Sequence, residues 1–382
     1  MRFLHTADWH LGRSFYNISL IEDQAHVLNQ LIDIARETKP DVLLVAGDIY
    51  DRAMPPTDAV ELLDEVLCRL ILELEVPVFI IAGNHDNPLR LEFAARLLET
   101  HRLHVFGSLS DRIRFVEMFD EWGSISFYPM PYAEPSQVGN YLRNESITSH
   151  EEAMQAWIDL VKSNLIPKSR AVLINHAFVV GGEESESERP LDVGGAGTIS
   201  PKCFDDFHYV ALGHLHGPQC LGEKQQIHYS GSLLKYSFSE VNHAKCIKLV
   251  EMDDNGLKRV QAIPLTPKHD VRCVEGTIED LLQRKIDLGD RNDYVQVRLL
   301  DKGAVYDSMG RLRDVLPNLV NIDHSGLVAG NETVARVDHR KREMISLFDD
   351  FYKFATGETL TEEQSKVFAR VVNRVRQDER QA

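Results

Sequence analysis

Five short polar clusters in the first 216 positions could bind metal ions. Each follows an apolar, strand-like segment, and they read Asp8-Trp9-His10, Gly47-Asp48-Ile49-Tyr50-Asp51, Gly83-Asn84-His85-Asp86, Asn175-His176 and Gly213-His214-Leu215-His216. A weaker sixth cluster, Tyr229-Ser230-Gly231-Ser232, comes next. Together they offer two carboxylates, one amide oxygen and four imidazoles, which suit borderline divalent ions such as Mn²⁺, Zn²⁺ or Fe²⁺. The series therefore predicts two adjacent divalent cations.

The candidate ligands divide into two sets that share one carboxylate. We predict that Asp8, His10, Asp48 and His216 hold one ion, and that Asp48, Asn84, His176 and His214 hold the other. Gly47 would let the backbone beside Asp48 approach the ions closely. His214 and His216 are two residues apart, so on an extended segment they share a face and each can meet a different ion. Two ions about 3.5–4 Å apart can clamp a phosphoryl oxygen and activate water for attack on phosphorus.

Residues beside the ligands are candidates for catalysis or support. A cationic imidazole at His85 could stabilise the charge on phosphate or protonate the leaving alkoxide. Asp86 is predicted to hold the tautomer of His85, and Asp51 to support the ligands from behind. Ser230 and Ser232 are predicted to form a tight turn at the rim rather than to act as nucleophiles. A purely structural role is the alternative for each.

Several other polar residues carry weaker signals. Six histidines follow no ligand pattern and are expected at the surface or in the core: His5, His26, His104, His208, His228 and His243. Arg13, Arg52 and Arg90 lie near the polar clusters and are candidates for contacting nucleic acid, although exposed arginines are common.

The apolar segments before the clusters predict an α/β architecture. They are short, rich in β-branched residues and bounded by turn formers, and they span residues 3–7, 42–46, 76–82, 125–130, 171–175 and 209–212. Residues 20–39 and 58–74 show helical periodicity. In such folds ligands gather at the carboxyl ends of the strands, where the clusters lie.

The remaining segments suggest further units. Residues 181–197 are acidic and glycine-rich, which predicts a mobile loop beside His176 or a solvated linker. Residues 267–337 predict a small α+β unit with helices at 277–285 and 308–316 and extended segments at 294–299 and 319–323. Residues 338–382 hold two apolar helices, 343–355 and 362–376, with Thr361 and Gln364 as a capping box. These helices either pack on the main body or dock on another chain. The predicted domains are thus 1–266, 267–337 and 338–382.

Composition limits the possible functions. Five scattered cysteines and no apolar run of membrane-spanning length favour a cytoplasmic protein with reduced thiols. With a formal charge of −17, the chain lacks the excess of basic residues that is typical of a protein that binds DNA without a partner. Any contact with nucleic acid must therefore be local, metal-mediated or shared with a partner. The chain has no P-loop for ATP.

The polar clusters resemble those of the calcineurin-like metallophosphoesterases. The resemblance is closest to a branch of nuclease subunits that act in bacterial DNA end processing with a coiled-coil ATPase. It rests on His5-Thr6-Ala7-Asp8-Trp9-His10-Leu11-Gly12, Ala46-Gly47-Asp48-Ile49-Tyr50-Asp51, Gly83-Asn84-His85-Asp86 and Ala211-Leu212-Gly213-His214-Leu215-His216. It covers roughly residues 1–265 and is weaker towards the C-terminus. Archaeal and eukaryotic counterparts carry histidine where this chain has Asp51, so the role of that histidine does not transfer.

The resemblance implies a fold and an activity. The expected fold is a two-sheet sandwich flanked by helices, with a small α+β capping domain and a C-terminal helical hairpin. The expected cofactors are two Mn²⁺, with Mg²⁺ or other divalent ions as substitutes. The activity would be double-strand exonuclease and single-strand or hairpin endonuclease, serving DNA replication, repair and recombination. The family also implies a homodimer whose C-terminal helices bind the ATPase, giving a heterotetramer.

Two other functions fit the same clusters. One is a small-molecule phosphodiesterase or nucleotidase, which has no evident need for the 115 or so residues after position 267. The other is a scaffold subunit whose main role is to bind the ATPase.

Overall fold

The fold is known from a computed structural model that describes residues 1–110, 113–191, 197–301 and 305–324. It also describes Phe348, Tyr352, Thr361, Gln364, Val367 and Phe368. The chain divides into a large compact unit, Met1–Gly326, and a second unit, Leu327–Ala382. Among the described helices, none combines the length and the apolar character needed to cross a membrane.

The strands and helices of the large unit are numbered in chain order. The strands are β1 (Arg2–Thr6), β2 (Ser14–Phe15), β3 (Ile18–Ser19), β4 (Val42–Ala46), β5 (Val78–Ile81), β6 (Leu103–Phe106), β7 (Val116–Asp120), β8 (Gly123–Met130), β9 (Arg170–His176), β10 (Phe178–Val179), β11 (Thr198–Ile199), β12 (Tyr209–Gly213), β13 (Gln219–Leu221), β14 (Ile227–Tyr229), β15 (Cys246–Asp253), β16 (Gly256–Pro264), β17 (Val271–Gly276), β18 (Tyr294–Leu299) and β19 (Leu319–Asp323). The helices are α1 (Ile21–Thr38), α2 (Thr57–Cys68), α3 (Pro88–Leu91), α4 (Ala95–Leu98), α5 (Pro135–Leu142), α6 (His150–Lys162), α7 (Ile278–Leu282) and α8 (Ser308–Arg313).

Two six-stranded mixed sheets form the body of the large unit. The first has the order β16-β15-β1-β4-β5-β6, in which β1, β4, β5 and β6 are parallel and the β15–β16 hairpin completes one edge. The second has the order β13-β14-β12-β9-β8-β7, with antiparallel strands only at its two edges. Each sheet therefore has a central block of parallel strands whose carboxyl ends lie on one side.

The sheets pack face to face around an aromatic layer. Phe3 meets Phe127 and Tyr209 of the opposite sheet, with ring centroids 5.8 and 5.4 Å apart. The next residue, Leu4, joins the separate cluster on the outer face, because successive side chains of a strand point to opposite faces. Since both faces are covered, a central strand such as β4 is apolar throughout. The predicted two-sheet sandwich is thus confirmed.

Helices cover the outer faces of the sandwich. The first sheet is covered by α1, whose buried side chains include Val27, Leu28, Leu31, Ile32 and Ala35, the face predicted from the sequence. This helix ends at Lys39, which has a positive φ of 47° and precedes a proline that cannot continue the helix. The second sheet is covered by α6, which starts at a capping box formed by Ser149 and Glu152.

A small three-stranded parallel sheet, β17-β18-β19, follows the sandwich. With α7 and α8 it has its own apolar cluster, which includes Leu281, Val295, Val297, Leu312 and Leu316. The predicted elements at 277–285, 294–299, 308–316 and 319–323 correspond to α7, β18, α8 and β19. Strand β17 was absent from the prediction, as were the β15–β16 hairpin and helix α6. The three-domain division stays a prediction.

The two C-terminal helices predicted at 343–355 and 362–376 lie largely outside the described residues. Within the described part of this unit the capping box is present. The backbone N–H of Thr361 donates to Gln364 Oε1 at 2.8 Å, and the N–H of Gln364 donates to Thr361 Oγ1 at 3.3 Å. Phe348 stacks on Phe368 with ring centroids 3.8 Å apart.

Candidate metal centre

All predicted ligand residues come from the carboxyl ends of parallel strands or from the loops that follow. Asp8, Asp48 and Asn84 follow β1, β4 and β5 of the first sheet. His176 ends β9 of the second sheet, and His214 directly follows β12. The two sheets meet here, since the backbone N–H of His214 donates to both carboxylate oxygens of Asp8, at 2.9 and 3.1 Å.

One group of side chains contains Asp8, His10 and His216. Their ligand atoms all lie within 4.8 Å of one another, and all three residues are buried. His10 Nε2 and His216 Nε2 are only 3.1 Å apart. Two ring nitrogens at this distance must share either a proton or a cation, because two lone pairs repel each other. The structure thus brings together three of the four residues predicted for the first ion.

Asp48 lies between this group and the second one. Its Oδ2 is 3.6 Å from His10 Nε2 and 3.6 Å from His176 Nε2. Its Oδ1 accepts the backbone N–H of His85 at 2.9 Å. The carboxylate therefore faces candidate ligands of both ions, which is the position that a bridging ligand requires.

The second group contains His176 and Asn84. His176 Nδ1 lies 2.9 Å from the carbonyl oxygen of Ala46, so this nitrogen carries the proton and Nε2 has the lone pair. His176 Nε2 is 2.9 Å from Asn84 Oδ1, so two acceptors face each other. A cation between them would remove the repulsion. His214 lies beside them, with ring centroids 5.5 Å from His176, and its buried Nε2 has no hydrogen-bond partner among the described residues.

Backbone strain is concentrated at these ligands. Four of them, Asp8, His10, Asp48 and His214, have positive φ angles of 53°, 46°, 51° and 104°. Such angles are uncommon for residues with a side chain and persist only where the surroundings hold them. Gly47 has φ of 90°, and a Cβ there would lie 2.4 Å from His176 Nδ1. Position 47 therefore requires glycine, as predicted, although the atom that a Cβ would meet belongs to the imidazole of His176.

The electrostatics of the centre call for added positive charge. Burial raises the pKa of Asp8 well above its ordinary value, and Coulombic repulsion from Asp48 raises it further. Burial and neighbouring imidazoles lower the pKa of His10 and His214 well below the usual range. Two facing carboxylates and neutral imidazoles with free lone pairs are what divalent cations bind. The residues present therefore fit two divalent cations.

The structure corrects the role predicted for Asp86. His85 Nδ1 lies 2.7 Å from the carbonyl oxygen of Asp51, so that backbone oxygen fixes the tautomer of His85. The carboxylate of Asp86 instead accepts three backbone N–H groups, from Ile49 at 3.1 Å, Tyr50 at 2.9 Å and Gly83 at 2.9 Å. Asp86 therefore ties the loop after β4 to the loop after β5. Its burial raises its pKa to about 7, with repulsion from Asp48 as the second cause.

Other predicted residues have identifiable positions. His85 Nε2 is 4.0 Å from Asp48 Oδ2, and Asp51 Oδ1 is 3.8 Å from His10 Nδ1. The hydroxyl groups of Ser230 and Ser232 donate to the carbonyl oxygens of Gly231 and Leu234, at 3.2 and 2.7 Å, and the tight turn at the rim stays a prediction.

The remaining histidines and arginines of the prediction differ in their surroundings. His5 lies in the core between the hydroxyl of Tyr209 and the carbonyl oxygen of Leu212, at 2.9 and 3.2 Å. Among the described residues, the potential metal-binding groups include neither His5 nor the other five histidines expected to be structural. Arg13 contacts Asp51 at 3.4 Å, whereas Arg52 and Arg90 are exposed.

Sequence reasoning missed the residues that support His216. Its backbone N–H donates to Glu188 Oε1 at 2.7 Å, and its Nδ1 lies 2.6 Å from Ser187 Oγ. Behind Ser187 lies the buried pair of Glu240 and Lys245. Ser187 and Glu188 belong to the segment 181–197, whose described part is thus anchored at the metal centre. No periodic pattern marks such residues, since their partners are distant in sequence.

Comparisons with known proteins agree with this arrangement. Residues 1–218 match the family model of calcineurin-like phosphoesterases. Over 370 residues the chain is 32% identical to the SbcD subunit of the nuclease SbcCD of Staphylococcus epidermidis, and the match covers 96% of each chain. The chain belongs to the calcineurin-like phosphoesterases, in their SbcD branch. Residues 267–356 of this phosphoesterase match a further model, described as a type 5 capsule protein repressor C-terminal domain.

Two solved structures are also similar to the phosphoesterase. One is a protein of Thermus thermophilus, at 14% identity and a TM-score of 0.40, covering 69% of this chain and 98% of that one. The other is a dimetal phosphatase from Danio rerio, at 13% identity and a TM-score of 0.40, covering 70% and 99%.

The anchoring role of Asp86 can be tested by substitution. Asp86→Ala leaves three backbone N–H groups without their acceptor, so we expect the free energy of unfolding to fall by about 2–5 kcal/mol. Mn²⁺ binding should weaken as well, because Asp48 and Asn84 lie on the two tied loops. Chemical denaturation and Mn²⁺ titration measure both effects. Asp64→Ala, at an exposed position of α2, should change stability by no more than about 0.5 kcal/mol. If the Asp86→Ala variant has the same stability and the same Mn²⁺ affinity as wild type, Asp86 does not anchor the two loops.

Proposed function

We propose that this phosphoesterase is a Mn²⁺-dependent DNA nuclease subunit that works with the ATPase SbcC. The proposed activities are exonuclease on double-stranded DNA and endonuclease on single strands and hairpins. The observation that carries the proposal is the facing pair of buried carboxylates, Asp8 and Asp48, among lone-pair nitrogens of histidine. The similarity to an SbcCD nuclease subunit along nearly the whole chain supports DNA as the substrate.

The proposed ligand sets are those predicted from the sequence. The first ion takes Asp8, His10, Asp48 and His216, and the second takes Asp48, Asn84, His176 and His214. When bound, the two cations would polarise a phosphodiester and lower the pKa of a water molecule for attack on phosphorus. The chain contributes the fixed directions of the ligand atoms. His176 is held by the carbonyl oxygen of Ala46, and Asp48 is held by the N–H of His85.

His85 is the proposed residue that acts on the phosphate. Its Nδ1 is engaged by the carbonyl oxygen of Asp51, while its Nε2 lies 4.0 Å from Asp48 Oδ2. The side chain is 14% exposed, whereas the proposed histidine and aspartate ligands are buried. It can therefore reach a substrate that the ligands cannot, and either stabilise the developing charge or protonate the leaving oxygen. Asp86 acts through the loop that carries His85, as a positioning residue.

The partnership with SbcC is proposed for the C-terminal segment. The three proposed domains are 1–266, 267–337 and 338–382, and the family match that starts at residue 267 supports the first boundary. The packing of Phe348 on Phe368 supports a helical hairpin in the last domain. Because the chain carries a charge of −17, SbcC would supply much of the surface that binds DNA. A cytoplasmic location is part of the proposal.

A homodimer, and with SbcC a heterotetramer, completes the proposal. The segment that holds α3 and α4 exposes three large apolar side chains: Leu89 is 77% exposed, Phe93 81% and Leu97 74%. They lie close together in sequence, on α3, on α4 and on the turn between them, shortly after Asn84. Such a concentration of exposed apolar surface is typical of an interface.

The nuclease proposal predicts cleavage that requires Mn²⁺ and Asp48. The full chain, with SbcC and ATP, should digest a linear duplex in Mn²⁺ and lose activity when the metal is chelated. Asp48→Ala should lower the rate on the order of 10³-fold or more, because it removes the ligand shared by both ions. Asp33→Ala, at an exposed position of α1, should retain activity. Turnover of a generic phosphodiester dye without any duplex cleavage would favour the small-molecule esterase instead.

If His85 acts on the phosphate and is not a metal ligand, its substitution should lower the cleavage rate without weakening metal binding. His85→Gln should lower the cleavage rate by about 10²–10⁴-fold, the usual contribution of a general acid or base. Mn²⁺ affinity, measured by titration, should stay within a few-fold of wild type. His26→Gln changes an exposed histidine of α1 and serves as the control. A His85→Gln variant that cleaves DNA normally, or that loses Mn²⁺, would contradict the assignment.

The dimer predicts a change of mass in solution. Phe93→Glu places a charge within the proposed apolar interface, so the chain should sediment as a monomer at concentrations where wild type is dimeric. Phe119→Glu is the matched control, because Phe119 is 72% exposed on the edge strand β7. If both variants remain dimeric, the interface lies elsewhere.

Docking of SbcC predicts a result for a truncated chain. A chain that ends at residue 339 should no longer capture SbcC, while its Mn²⁺ binding stays at the wild-type level. The full-length Asp48→Ala variant should still capture SbcC, since it changes only the metal centre. Capture of SbcC by the truncated chain would disprove docking through residues 340–382.

A further inference from the structure

The acidic segment before β11 crosses one side of the metal centre. We call residues 183–188 the acidic strap, because it carries Glu183, Glu184, Glu186 and Glu188. It is anchored at several points. Glu186 N–H donates to Ser239 Oγ at 3.0 Å, and the carbonyl oxygen of Ser187 accepts from Arg13 Nη2 at 3.0 Å. Hydrogen bonds therefore tie residues 183–188 to the surroundings of the metal centre.

Ser187 connects His216 to a buried carboxylate. Its Oγ is 2.6 Å from His216 Nδ1 and 2.5 Å from Glu240 Oε1. Glu240 is fully buried, and its other oxygen, Oε2, lies 2.5 Å from the Lys245 ammonium. Glu240 Oε1 also accepts the backbone N–H of Tyr236 at 3.0 Å. These contacts all bring a donor to the carboxylate.

The direction of the hydrogen bonds follows from the number of available protons. The Glu240 carboxylate is paired with an ammonium, so it accepts, and Ser187 must donate its single hydroxyl proton to it. Ser187 Oγ then has only lone pairs to offer to His216. His216 Nδ1 must therefore carry the proton and donate it to Ser187, and Glu240 Oε1, 3.5 Å from the same nitrogen, is a second and more distant acceptor. The other nitrogen, Nε2, is left with the lone pair that a metal ligand needs.

Lys245 also fixes the backbone of His216. Its ammonium donates to the carbonyl oxygen of His216 at 2.7 Å and to Ser232 Oγ at 2.8 Å, in addition to Glu240. All three protons of the ammonium are used. The same residue thus holds the main chain of His216 and, through Glu240 and Ser187, the far side of its ring.

We infer that Ser187, Glu240 and Lys245 are positioning residues that hold His216 in its Nδ1–H tautomer and present Nε2 to the metal centre. The inference rests on the proposed function in one respect, the assignment of His216 as a ligand. The tautomer itself is a property of the chain without metal. The acidic strap is accordingly required to assemble the centre. We call the hydrogen-bonded series Lys245, Glu240, Ser187 and His216 the relay, in which Ser187 is the link to His216.

The test combines two readouts on the full chain. In metal-free protein labelled with ¹⁵N-histidine, NMR reports which nitrogen of each imidazole carries the proton, and the signal lost in His216→Gln identifies His216. Wild type should show Nδ1–H. Ser187→Ala should shift His216 to a mixture of tautomers, and Ser187→Thr should restore Nδ1–H because it keeps the hydroxyl. In parallel, spin-resonance titration should show that Ser187→Ala weakens one of two Mn²⁺ sites by about 10–100-fold.

A second pair of variants separates the relay from simple anchoring of the strap. Ser239→Ala removes the anchor of Glu186 and should leave both readouts unchanged. Glu240→Gln keeps an acceptor for Ser187 but loses the charge facing Lys245, so the tautomer shift should be partial. Circular dichroism confirms that each variant is folded.

Three outcomes overturn the inference: Nε2–H in wild type, an unchanged tautomer in Ser187→Ala, or an equal effect of Ser239→Ala. A different outcome would overturn only the proposed metal assignment. If the tautomer depends on Ser187 but His216→Gln keeps both Mn²⁺ sites, the relay stands and His216 is not a ligand.

Discussion

The carboxylates of Asp8 and Asp48 are buried at the edge of the first sheet, where it meets the second. Two buried carboxylates this close repel each other unless hydrogen-bond donors or positive charge offset the repulsion. Their repulsion is relieved in part by backbone N–H groups, from His214 to Asp8 and from His85 to Asp48. Each of these donors lies in a loop directly after a parallel strand. The sandwich therefore serves to bring N–H groups and imidazoles to two points that would otherwise repel each other. Positive φ angles at the ligands are tolerated because the two sheets, buried on both faces, hold the ends of their strands firmly.

This dependence explains which parts of the site could be predicted from the sequence. The carboxyl ends of neighbouring parallel strands lie on the same side of a sheet, so finding the strands was enough to bring Asp8 and Asp48 together. His176 joins them because the second sheet packs on the first. Apolar runs such as β4 are reliable signals because both faces are buried. The β15–β16 hairpin was missed because β16 is a largely exposed edge strand with no apolar run. Asp86 was misjudged because adjacency in sequence to His85 says nothing about direction, and a tight loop turns consecutive side chains apart.

The supporting residues could not be predicted for a different reason. For three of the imidazoles, the hydrogen bond to the nitrogen that points away from the centre comes from whatever acceptor the fold brings near. His176 uses the carbonyl oxygen of Ala46, His85 that of Asp51, and His216 the hydroxyl of Ser187. The first two acceptors are backbone atoms and leave no trace in the sequence. The third belongs to a segment whose acidic composition is typical of a solvated loop. Only the three-dimensional structure reveals that Ser187 and Glu188 of this segment contact His216.

The acidic strap also bears on how a polyanion could reach the proposed nuclease centre. Arg13 is a basic side chain close to the first ligand group, yet it is engaged by Asp51, by the carbonyl oxygen of Ser187 and by the ring of Tyr236, which lies 4.9 Å from its guanidinium. It therefore holds the strap and is not free for a phosphate. DNA that approaches from the side of the strap would meet its glutamates, which repel it. On the proposed function, the ions themselves and the surface of SbcC would have to supply the missing attraction.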